Sequence, residues 1–162
     1  MRIPLPLICL MVPLLVSCKK DSLNDKLVSH NSRLAADLRS SNESHSIADN
    51  NLVLTTYFWR DFMPGTEAAG SRLTGVIQLG DANGRAIPPS IQLKRLYVVK
   101  GHEIWTTDFS EITLSDDGQL EGVVRNGPYW GPNINVDVVC EFEASGRVYR
   151  IIARSQPINR TD

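Results

Sequence analysis

Nucleophilic or metal chemistry in this chain would have to come from few residues, because 162 positions hold only three cysteines and three histidines. Cys140 could supply a thiolate. It stands between Val138 and Phe142 at an inward position of an apolar run, where a thiol behaves as a small, inert hydrophobe. His102 and Glu103 share a turn-like stretch, but Ile104, Trp105 and Thr106 follow, so there is no HExxH helix. His30 and His45 lie upstream in a polar segment. A zinc site needs three or four convergent ligands, and the expectation is no metal and no cofactor. Asp116-Asp117-Gly118 lacks the alternating ligands and closing Glu of a calcium loop and reads as a turn. Asp116 with Glu121 could serve a carboxylate-based hydrolase only if the fold set them across a cleft. GxSxG, P-loop and GxGxxG patterns are absent. The chain is therefore read as a non-enzyme.

The aromatic residues suggest binding instead. Tyr57, Phe58, Trp59 and Phe62 crowd the stretch YFWRDF. Consecutive strand residues face opposite ways, so this cluster serves two faces; Trp59 is expected in the core. Arg60 and Asp61 follow directly and point apart, so they are not expected to pair with each other. Tyr129 and Trp130 lie in NGPYWGP, a loop before a strand. Loops on a rigid scaffold commonly carry binding function, which makes Tyr129 and Trp130 the candidate ligand-binding residues.

The elements that would position these groups are strands. Short β-rich runs fall at 52–60, 72–79, 91–100, 103–107, 119–125, 134–143 and 147–155, separated by Pro64-Gly65, Gly80 to Gly84, Pro88-Pro89, Asp116-Asp117-Gly118, Gly127-Pro128 and Ser145-Gly146. About seven strands without strand–helix alternation predict an all-β fold: one antiparallel β-sandwich over 52–162. In size and strand count it resembles immunoglobulin-like or fibronectin-like domains. Two hallmarks of antibody domains are missing: no intradomain disulfide is available to Cys140, and Val138 stands where a tyrosine corner would need Tyr.

The last two runs allow a sharper expectation. With Ser145-Gly146 as a two-residue turn, Phe142 pairs with Tyr149, Cys140 with Ile151 and Val138 with Ala153 on an apolar face. The opposite face pairs Glu141 with Arg150 and Asp137 with Arg154, with Val139 and Ile152 between. A slip of one residue would put every side chain on the wrong face.

Residues 18–51 differ in composition. The stretch 19–51 has five Lys/Arg, five Asp/Glu and no aromatic residue, and SSNESHS at 40–46 is almost wholly polar. It reads as a flexible tether. Leu23, Leu27, Leu34 and Leu38 share one helical face, so a short helix over 22–39 is an alternative, although an isolated helix of that length is marginal in water.

The N-terminus, MRIPLPLICLMVPLLVSC, has the positive start and apolar core of an export signal. Leu15-Val16-Ser17-Cys18 resembles the lipobox of bacterial lipoproteins. That resemblance covers residues 1–18 and implies cleavage after Ser17, a signal peptide at 1–17 and lipidation of Cys18. It places the mature chain on a membrane of the bacterial cell envelope. Lys19, rather than Asp, follows the cysteine. This departs from the inner-membrane retention pattern and leaves the outer membrane as the expected location, periplasmic or surface-facing.

Seventeen Lys and Arg against eighteen Asp and Glu give no basic excess, so a nucleic-acid partner is not expected. The functional expectation is a lipid-anchored binding or structural module with a glycan or envelope protein as partner. An accessory subunit of an envelope complex is the alternative.

Overall fold

The computed structural model describes residues 27–66 and 69–162. In chain order it contains β1 (Val28–His30), α1 (Ser32–Arg39), β2 (Ser44–Ile47), β3 (Asn50–Asp61), β4 (Thr74–Asp81), β5 (Gln92–Lys100), β6 (Glu103–Thr107), β7 (Glu111–Leu114), β8 (Leu120–Val124), β9 (Asn135–Ala144) and β10 (Arg147–Thr161). The fold is all-β, as expected. Instead of seven strands in a sandwich, ten strands form one hydrogen-bonded sheet in the order β1-β6-β5-β9-β10-β3-β4-β8-β7, with β2 beside β3. The three strands not anticipated, β1, β2 and β7, are three or four residues long. They are too short to show a side-chain alternation.

β10 makes the sheet continuous. Its first part runs antiparallel to β9, and Ile158 to Thr161 then run parallel to Phe58 to Asp61 of β3. A bulge between Ala153 and Gln156, with Ser155 at φ +52°, bends the strand where it changes partner. Pro157, which has no N–H to give a ladder, sits at that hand-over. The sheet curls so that Phe58, Ile77, Leu79 and Val124 from one half share a core with Leu96, Val98, Val138, Cys140, Phe142 and Ile151 from the other.

The β9–β10 hairpin has the expected register: Phe142 pairs with Tyr149, Glu141 with Arg150, Cys140 with Ile151 and Val138 with Ala153. Ser145 and Gly146 both have positive φ, at +50° and +75°, the backbone a two-residue type I′ turn requires. Arg150 bridges Glu141 at 2.9 Å. The second expected ion pair is not made, because the bulge breaks the ladder just beyond Ala153. Asp137 meets Arg39 at 2.6 Å and accepts from the Ser155 amide. Arg154 turns to Glu43 and to the carbonyls of Arg39 and Ser41.

The segment read as tether is, from Val28 on, part of the fold. β1 extends β6, and β2 pairs with β3. Between them α1 starts at Asn31, whose side chain accepts from the Leu34 amide at 2.9 Å. α1 is the C-terminal part of the helix anticipated at 22–39. Its Ala35 and Leu38 bury against Tyr97, Val99, Ile104, Val139 and Ile152, on the outer face of the sheet. The polar composition concealed this because the segment's charges are used: Asp37, Arg39 and Glu43 all pair with side chains of β9 or β10. The signal peptide, Cys18 and Leu23 lie outside the described residues.

Candidate functional site

The loop holding Tyr129 and Trp130 is a packed joint. Trp130 is 4% exposed and belongs to the shared core, with the Lys100 ammonium 5.0 Å from its ring centroid. This burial does not suit the ligand-binding role for which Trp130 is a candidate: a ligand could reach it only by displacing core contacts. Tyr129 is half-buried, with the guanidinium groups of Arg60 and Arg72 over its ring at 5.2 and 5.0 Å. Arg60 is itself buried and donates to the carbonyls of Ser71 (2.8 Å), Gly131 (2.7 Å), Ala69 and Tyr129. Burial lowers its pKa from the ordinary guanidinium value. A Gly/Pro-rich loop that looks exposed in sequence is thus fastened to the sheet by one buried fork of donors.

The other candidate groups are separated. Cys140 is buried among apolar side chains, and burial pushes its thiol pKa up, which suits packing and opposes nucleophilic use. His102 is in the exposed β5–β6 turn with its ring 5.7 Å from that of His30, while His45 sits against Phe142 and Tyr149 and contacts the Arg150 carbonyl. Among the described residues, no three His, Cys, Asp or Glu side chains are grouped to hold a metal ion. Asp116 is exposed in the β7–β8 turn, and Glu121 lies on an open sheet face as an acceptor for Gln78 at 3.1 Å. Gly118 closes that turn at φ +75°, where an added Cβ would lie 2.6 Å from the Ala86 Cβ.

The open sheet face carries what the loop does not. In β3, Phe58 and Arg60 point inward, and the Phe58 ring occupies the space left by Gly75: an added Cβ there would lie 2.3 Å from it. Alternation then turns Thr55, Tyr57 and Trp59 outward. Tyr57 is 52% exposed and Trp59 half-buried, with ring centroids 5.4 Å apart. Trp59 is thus an outer-face residue and not the core residue expected. The ladders give rows across this face: Trp59 beside Thr74; Tyr57, Val76, Val123 and Glu111; Thr55, Gln78, Glu121 and Thr113. Asn159 stands beside Trp59 in the parallel ladder and donates to the Phe58 carbonyl. A shallow depression of about 200 Å³ is lined by Thr55, Thr56, Tyr57, Val76 and Gln78. Sequence reading did not single out Tyr57 as outward-facing, although the parity of Thr55, Tyr57 and Trp59 was the signal for it.

The two outer faces differ. One half is roofed by α1, while the other shows its aromatic residues to solvent with no described element over them. The roof also carries a pH dependence. Burial raises the Asp137 pKa, but the Arg39 hydrogen bond, the Ser155 amide and the charges of Arg39 and Arg154 outweigh it, so the carboxyl is held below its usual range. A depressed carboxylate pKa stabilises the fold fully above the unfolded value, about pH 4, and that contribution disappears as pH falls through the folded value. Denaturant midpoints should therefore differ between wild type and Asp137→Asn at pH 6 and converge toward pH 3. A gap that does not change with pH would contradict this.

The chain matches no protein-family model, no curated protein and no solved structure.

Proposed function

We propose that this chain is a non-enzymatic cell-envelope lipoprotein, held to a membrane by lipid on Cys18, that binds an envelope component through the outer face of β3, β4, β8 and β7 around Tyr57 and Trp59. The observation that carries the reading is an aromatic pair turned outward on a sheet face with no described element over it, in a protein that does cover the apolar outer face of its other half. The seven-strand, immunoglobulin-like comparison extends no further than two curled half-sheets facing each other across one core. The binding site moves from Tyr129 and Trp130 to Tyr57 and Trp59. Cys18 and Val28, the first residue of β1, are ten positions apart in the chain, a span of at most about 35 Å. A lipid on Cys18 would keep β1 within that distance of the membrane.

The test uses the mature chain carrying Cys18→Ser, mixed with isolated envelopes stripped of lipid by detergent. The chain should sediment with them, and adding Tyr57→Ser and Trp59→Ser should reduce that at least tenfold, at a cost in stability of no more than about 1 kcal/mol. Equal sedimentation of a folded double variant would remove this face from the proposal.

The accessory-subunit reading is favoured by one observation. β7 ends the strand order, and its Ile112 and Leu114 are 47% and 63% exposed, an edge that a partner strand could extend.

A further inference from the structure

Resting on the binding reading above, we infer that the Tyr57–Trp59 face takes a neutral glycan strand, with pyranose rings laid on the two aromatic side chains. The apolar part of the face is a narrow strip. Of Tyr57, Trp59, Val76 and Val123, only Tyr57 is more than half exposed. A stable protein interface needs roughly 800 Å² on each partner and a fully buried apolar centre. The strip suits a thin ligand with alternating apolar and polar surfaces better than a protein hot spot.

The flanking rows supply the polar half of that match. Thr55, Thr74, Gln78, Thr113 and Glu121 lie in cross-strand register beside the rings. Hydroxyl and amide groups both donate and accept, as sugar hydroxyls require, while the ring faces meet the apolar C–H faces of a pyranose. The Gln78–Glu121 hydrogen bond at 3.1 Å fixes the amide beside the depression next to Tyr57. The charged members of these rows, Glu111 and Glu121, are carboxylates, which favours a neutral glycan over one bearing phosphate or sulfate. The depression is shallow, so it selects the middle of a chain and does not enclose a free sugar.

The experiment repeats the sedimentation of the mature Cys18→Ser chain with envelopes treated in two ways and then quenched. Periodate, which cleaves vicinal diols, should reduce binding at least tenfold, whereas proteinase K should leave it within twofold. Tryptophan fluorescence with cellohexaose, xylohexaose and maltohexaose, whose 1,4-linked rings keep a vicinal 2,3-diol, then identifies a neutral glycan. A response that Trp59→Ala removes, and that Gln78→Ala weakens several-fold, is the expected result. Binding abolished by proteinase K and indifferent to periodate would overturn the glycan while leaving the face as a protein site. Binding to untreated envelopes that is indifferent to Tyr57 and Trp59 would overturn both.

Discussion

Replacing Arg60 with Met is expected to lower the stability of the fold by about 3–5 kcal/mol and its melting temperature by about 10 °C. Met keeps much of the volume but none of the donors. Arg60 holds two loops at once: the Ser71 and Ala69 carbonyls on one side, and the Gly131 and Tyr129 carbonyls on the other. Each hydrogen bond from a charged donor contributes about 1.5–3 kcal/mol, and acceptors left buried without a partner add to the loss. The sum is offset in part because the buried guanidinium is itself desolvated. Phe62 and Tyr129 lie against the same guanidinium at 5.0 and 5.2 Å and would lose that contact too. Arg60→Lys should recover only part of the stability, since one ammonium cannot reach both loops with a planar fork. Chemical denaturation of the three proteins measures this. A change below about 0.5 kcal/mol in Arg60→Met would mean that the carbonyls find other partners and that the joint is not held as described.

In a chain already carrying Tyr57→Ser and Trp59→Ser, and so lacking the envelope-binding face, changing Cys18 to Ser should move the protein almost completely from the membrane fraction to the soluble fraction. Each buried acyl CH₂ contributes about 0.8 kcal/mol, and two or more chains hold a protein stably. Among the described residues, no helix is long and apolar enough to cross a membrane. Fractionation in high salt, with the mass of the mature N-terminal peptide, measures the effect. The wild-type peptide should begin at Cys18 and carry acyl chains. Persistent pelleting of the folded triple variant, or an N-terminal peptide without lipid, would contradict the anchor.

The parts of the fold legible in sequence were those where side-chain pattern and turn chemistry point the same way. The β9–β10 hairpin is the clearest case: the Ser145-Gly146 turn, the apolar pairs and the Glu141–Arg150 pair all select one register. The bulge at Ser155 was hidden, because no local pattern in ARSQPIN marks the residue at which a strand changes partner. α1 was seen as a leucine face without a destination. Its destination, Val139 and Ile152, sits between charged pairs on a face that reads as solvent-exposed. The burial of Trp130 was hidden for the same reason. Trp130 follows a loop signal, but its burial depends on core packing and on Arg60, seventy positions earlier, holding the loop in place. Tyr57 and Trp59 needed only strand parity, once Phe58 was assigned to the core opposite Gly75.

The central claim is that the face around Tyr57 and Trp59 is occupied in the envelope. Hydroxyl-radical footprinting of the wild-type protein, in intact envelopes and after purification, tests it directly. Val148, exposed at 62% at the start of β10 and outside that face, serves as the reference position. The expected result is several-fold protection of Tyr57 and Trp59 in envelopes, with Val148 labelled equally in both states. Equal labelling of Tyr57 and Trp59 in both states would contradict the claim.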